Sequence, residues 1–163
     1  MYHNTTKQNL RDKISRKRNS TQKEIAISEE MEEQFIKAIC DTLKKCICVY
    51  IPGEDFKNFL LFNAYDEEYM TIGCIDGDNY LLDSNFIYKR LHLLWKQSHK
   101  GAGILPKLSD FFGGLYDRDV LTQGHFFNKP LYKFLIGDDG VQREYFFIPK
   151  SYVGYDDSMI KYV

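Results

Sequence analysis

Asp117, Asp119 and His125 are the side chains whose types come nearest to a hydrolytic metal site, since two carboxylates and an imidazole can hold a divalent cation that activates water. They fall in one stretch, Tyr116 to Asn128, which reads as a loop. Acids are ordinary in loops, and nothing else in the chain converges on these three by spacing. Asp76 and Asp78 resemble the first two ligands of a calcium loop, but Tyr80 stands at the third ligand position and no Gly or Glu follows where such a loop needs them. Cys40, Cys46, Cys48 and Cys74 include no C-x2-C pair, and no H-x3-H pair accompanies them. They read as buried reduced thiols rather than zinc ligands. No phosphate-binding G-x-x-x-x-G-K-[ST] loop is present. The chain is therefore read as non-catalytic, with neither a metal nor an organic cofactor expected.

The remaining chemistry is that of cations. The formal net charge of −1 conceals a segregation. Residues 1–23 hold seven bases against one acid, a net of +6, which leaves −7 on the other 140 residues. Within the arm, Arg16, Lys17 and Arg18 form a dense cluster suited to phosphate contacts. A second set lies between Ser84 and Lys100, a stretch without a single acid. There Lys89, Lys96 and Lys100 fall with His92 and His99 opposite the apolar positions Ile87, Leu91, Leu94 and Trp95. Lys107 and Arg143 are further candidates for phosphate contact.

The elements that must carry these cations follow from periodicity. Residues 1–27 are polar and basic, with too little apolar surface to offset the entropy of ordering, so a flexible arm is expected. Residues 28–163 are expected to form a single α+β domain, because 15% aromatic residues suit the pleated surface of a sheet. Ser28 caps a helix running to about Lys45, with Glu29, Glu30, Glu32 and Glu33 at its start. Cys46 to Ile51 reads as a strand, and Glu54 to Asp66 is ambiguous between a short helix and an irregular segment. Tyr69 to Leu82 reads as a hairpin turning at Asp76-Gly77. A helix from about Asn85 to His99 follows, capped by Asp83 or Ser84. Gly101-Ala102-Gly103 breaks it, Pro106 opens a second helix, and Gly113-Gly114 is expected to stop that helix. Leu131 to Ile136 and Val141 to Ile148 alternate around Gly137–Gly140 as a second hairpin. Helix, turn, helix, hairpin across 84–148 is the outline of a winged-helix-like core. The second helix offers only Lys107, Ser109 and Asp110 to a groove, which is thin for reading base edges.

The segments "FIKAICDTLKK", "IGCIDGDNYLLDSNFIYKRL", "GILPKLSDFFGGL" and "YKFLIGDDGVQREYFFI", taken in order from Phe35 to Ile148, resemble the C-terminal region of primase/helicase-like ATPases carried by phages and mobile elements. The resemblance implies a winged-helix-like appendage without the motor that precedes it in that family, so no catalytic residue is carried over.

Two functions fit these readings best, and a third, an enzyme using Asp117, Asp119 and His125, would require those side chains to converge around a pocket. One is a nucleic-acid-binding or replication-accessory module of a phage or mobile element, touching phosphates through Arg16, Lys17, Arg18, Lys89, Lys96, Lys100, Lys107 and Arg143. The other is a protein-interaction domain, such as an inhibitor or immunity-type protein, which the acidic body and the abundant Tyr and Phe would suit. No apolar run reaches the ~18 residues of a membrane span, and the N-terminus lacks an apolar signal core. A cytoplasmic location without a membrane partner is expected.

Overall fold

Two long helices begin where the sequence supplies an oxygen to cap them. The computed structural model describes residues 27–50, 59–63, 71–99, 104–122, 129–136 and 140–162. Helix α1 spans Glu29–Lys44. The Ser28 hydroxyl accepts from the Met31 backbone N–H at 3.2 Å, satisfying one of the donors that a helix start leaves free. Glu29, Glu30 and Glu32 in the first turn and Lys44 in the last complement the helix dipole. Phe35, Ala38, Ile39 and Leu43 form the buried stripe.

Strands β1 (Cys46–Tyr50), β2 (Phe59–Asn63), β3 (Thr71–Asp76) and β4 (Asn79–Asp83) follow in order. Helix α2 (Ser84–His99) and helix α3 (Leu108–Asp117) come next, and then β5 (Tyr132–Leu135) and β6 (Gln142–Pro149). The chain closes with a single turn α4 (Lys150–Val153), a 3-10 turn at Asp157–Met159 and the short strand β7 (Lys161–Tyr162). The strands form one sheet in the order β5-β6-β4-β3-β2-β1-β7. Neighbours run antiparallel except β1 and β7, which are parallel. The architecture is α+β.

Successive strand residues point to opposite faces, and both faces of the central strands are filled. Tyr80, Leu82, Phe146 and Ile148 join the main core beneath the helices, with Phe35, Leu91, Trp95 and Phe111. Leu81, Tyr145 and Phe147 instead meet Cys74, Tyr132 and Ile136 in a smaller cluster. This explains why Tyr80–Leu82 and Tyr145–Ile148 are unbroken apolar runs, so the alternation expected over 141–148 does not hold there.

Several elements differ from the sequence reading. The ambiguous 54–66 segment contains β2, paired on both sides by β1 and β3. Its FLLFN run has no period of its own, so pairing rather than pattern settles its form. The turn between β3 and β4 is centred on Gly77 and Asp78 rather than Asp76-Gly77, and Gly77 takes φ 57°. Helix α3 does not stop at Gly113-Gly114 but continues to Asp117. Gly114 serves close packing there: a Cβ on it would lie 2.6 Å from Ile27 Cγ1. Ile27, assigned from the sequence to the flexible arm, is buried in the main core. The rest of that arm lies outside the described residues.

The tail packs rather than frays. The Lys150 N–H donates to the Asp78 carbonyl at 2.8 Å, the Tyr80 hydroxyl donates to Asp157, and Ile160 is buried. All four cysteines are free thiols, with Cys46, Cys48 and Cys74 buried.

Candidate nucleic-acid interface

Helix α2 is held at its start by the strand it leaves. Asp83 ends β4, and its Oδ1 accepts from the Phe86 N–H at 3.1 Å. Its Oδ2 lies 3.7 Å from Arg143 Nε on β6. The Asp83 side chain is only 2% exposed. Burial pushes its carboxyl pKa up, opposed by the Phe86 and Asn85 N–H groups and by the Arg143 charge. Ser84 adds a second tie, its hydroxyl donating to the Glu144 carbonyl at 3.0 Å. Arg143, expected from the sequence to touch phosphate, is thus half-buried over Asp83.

The far side of α2 is fixed by its apolar residues. Ile87, Leu91 and Trp95 enter the main core, and the helix packs against α1, α3 and β6. That orientation turns Lys89, His92 and Lys96 outward, where all three are exposed. No acid occurs anywhere in the helix.

The Tyr88 hydroxyl donates to the Pro106 carbonyl at 2.5 Å, tying the first half of α2 to the approach to α3. Lys89 follows the donor and Lys107 follows the acceptor, so this bond draws the two lysines' segments together. Lys107 is exposed at the N-cap of α3 and makes no side-chain capping bond. Nothing in the sequence marks Tyr88 beyond its being a tyrosine within a basic helical stretch. Arg16, Lys17, Arg18 and Lys100 lie outside the described residues.

Comparison with known protein families, curated proteins and solved structures finds no match.

Other gatherings of titratable groups hold segments together. Asp157 accepts from Tyr80 and lies 2.8 Å from Lys150 Nζ. Burial, and then the bond to Asp157, raise the Tyr80 pKa, so its phenol stays protonated and serves as a donor. Glu32 on α1 receives the Tyr152 hydroxyl at 2.9 Å and pairs with Arg118 at 3.0 Å. Burial and the bond to Glu32 push Tyr152 up to about 12. Arg118 also donates to the Ile27 carbonyl.

Asp117 ends α3, and Asp119 follows it in a turn with φ 60°. His125 lies outside the described residues. Among the described residues, no three His, Cys, Asp or Glu side chains converge as metal ligands. No helix among them is long and apolar enough to cross a membrane.

Proposed function

We propose that this chain is a non-catalytic nucleic-acid-binding module that contacts phosphates through Lys89, Lys96 and Lys107, assisted by the basic arm. The observation that carries the reading is the acid-free, exposed face of α2 on a chain that is otherwise acid-rich beyond its basic arm. Exposed lysines on a packed helix can neutralise the phosphates of a nucleic-acid backbone. Among the described residues, many aromatic side chains that would suit a protein interface are spent in the core, while Tyr50 and Tyr162 stay about half exposed. Phe35, Tyr80, Phe111, Phe112, Tyr145 and Phe146 are all consumed by the core.

The connectivity supports a winged-helix-like core as well. Strand β4 leads into α2, α3 leads into the β5–β6 hairpin, and β6 returns to pair with β4. In this layout β6 shares the main core with both helices while Tyr132 of β5 packs in the smaller cluster, and it is compatible with the resemblance to the appendage of phage and mobile-element ATPases. A replication-accessory role is the corresponding biological reading. Because α3 exposes only Lys107, Ser109 and Asp110 near its start, binding is expected to follow charge and shape rather than base sequence.

Fluorescence anisotropy of labelled duplex and single-stranded DNA across a salt series tests this. The full chain is expected to bind with affinity that falls steeply as salt rises. The Lys89→Glu/Lys96→Glu variant should bind about 10- to 100-fold more weakly. Its salt slope should be smaller by roughly 0.9 for each phosphate that is no longer neutralised. Unchanged affinity in a folded variant would overturn the assignment of this face.

A further inference from the structure

Ile104 is the most exposed large apolar side chain among the described residues, at 89% of its full surface. A single exposed aliphatic residue is ordinary; this one has an unusual setting. Leu105 and Pro106, which follow it directly, are buried, Leu105 within the main core. The Pro106 carbonyl is held by the Tyr88 hydroxyl at 2.5 Å. Ile104 therefore projects from a chain that is anchored directly after it. The segments that anchor it are those that carry Lys89 and Lys107. Leu93, 55% exposed on the outer face of α2 between Lys89 and Lys96, is a second exposed apolar group on the segments that carry these lysines.

We infer that Ile104 acts as an apolar wedge, entering between stacked bases of a duplex while the lysines hold the flanking phosphates. The inference rests on the nucleic-acid reading above and deepens it: the ligand would be a duplex that the protein bends. Phosphate contacts alone leave an apolar side chain in water. A side chain inserted at a base step removes it from water and kinks the helix, as Ile, Leu and Met wedges do in architectural proteins. A lipid surface fits less well. Interfacial helices bury a broad apolar face, whereas Ile87, Leu91 and Trp95 of α2 are already committed to the core. One branched side chain has the dimensions of a base step, not of a membrane anchor.

The test uses the full chain and a short duplex carrying a donor and an acceptor dye at its ends, with 2-aminopurine in a parallel duplex. Wild-type protein should raise energy transfer through a bend of roughly 20–90° and raise 2-aminopurine emission by unstacking. Ile104→Ser should keep the salt slope, bind about tenfold more weakly, and lose both signals. Ile104→Leu should retain them. Wild-type binding without bending, or equal bending by Ile104→Ser, would overturn the wedge while leaving the phosphate-binding reading intact. No duplex binding by any form would overturn both. If Ile104→Ser instead lost binding only to phosphatidylserine/phosphatidylcholine vesicles, the apolar contact would belong to lipid and the wedge would fall.

Discussion

Helices α1 and α2 are 16 residues each and pack side by side, yet they present opposite chemistry to solvent. Their inner faces obey one rule: Phe35, Ile39 and Leu43 on α1, and Ile87, Leu91 and Trp95 on α2, feed the same core. Their outer faces differ because packing leaves them unconstrained. Helix α1 exposes Glu29, Glu30 and Glu33 near its start, whereas α2 carries no acid. Their caps differ too. Ser28 caps α1 from an exposed position through one local bond, while Asp83 caps α2 from inside the protein and also faces Arg143 on β6. The contrast separates what folding requires from what remains open to binding.

The largest expected effect comes from removing what the two helices share. Phe111 on α3 is fully buried, with its ring 5.4 Å from Phe35 on α1 and 6.2 Å from Tyr88 on α2. Phe111→Ala should cost about 3–5 kcal/mol in urea denaturation, the range for truncating a packed core aromatic. A loss below about 1 kcal/mol would mean that the core can collapse around the cavity. It would also mean that the helices are not joined through this ring.

The cap of α2 comes next. Asp83→Ala removes the acceptor for the Phe86 N–H and takes the carboxylate from beside Arg143. A loss of about 2 kcal/mol is expected, because the variant removes both the cap of α2 and a carboxylate contact of the half-buried Arg143. Asp83→Asn keeps a capping oxygen and should recover about 1 kcal/mol of that loss. Equal stability of the two variants would assign the whole effect to the ion pair.

The long elements were legible from apolar period and caps, and so were the cations. The spacing that buries Ile87, Leu91 and Trp95 also turns Lys89 and Lys96 outward, so the candidate face could be read one helix at a time. What escaped was long-range. β2 lacks alternation and takes its form from two neighbouring strands. Gly114 looks like a helix stop until Ile27 is seen against it. The Tyr88–Pro106 bond, 18 residues apart, and the Tyr80–Asp157 bond, 77 apart, leave no local pattern. Arg143 looked like a surface cation because Asp83, which faces it across the sheet, read only as a cap.

A further contrast lies in the thiols. Cys40 on α1 and Cys46 and Cys48 on β1 belong to one side of the molecule, and α2 has none. Burial pushes Cys46 up to about 12 and Cys48 up to about 11, from an ordinary 9.0. Below pH 9 both are protonated in the folded and unfolded chains. Above it the unfolded chain releases its protons first, so stability falls as pH rises toward the folded values. Each thiol contributes at most about 1.4 kcal/mol per pH unit. Urea midpoints should therefore drop from pH 8.5 to 10.5 by an amount corresponding to at most about 2 kcal/mol for each thiol. Cys46→Ala should flatten that decline. A slope unchanged by Cys46→Ala would assign the alkaline sensitivity to Cys48 or the buried tyrosines instead.

The smallest effect sharpens the comparison of caps. Ser28→Ala removes only the 3.2 Å bond to the Met31 N–H at an exposed helix start. The expected cost is about 1 kcal/mol, the usual value for a lost N-cap. Because α1 carries its acids outward and none of the lysines assigned to phosphate, DNA affinity should not change in anisotropy. Asp83→Asn, by contrast, should weaken binding while the chain remains folded, because the Asp83–Arg143 contact helps fix the strand from which α2 and its lysines depart. Equal DNA affinity for Asp83→Asn and Ser28→Ala would show that local capping alone orients α2, and that the tie to β6 serves stability only.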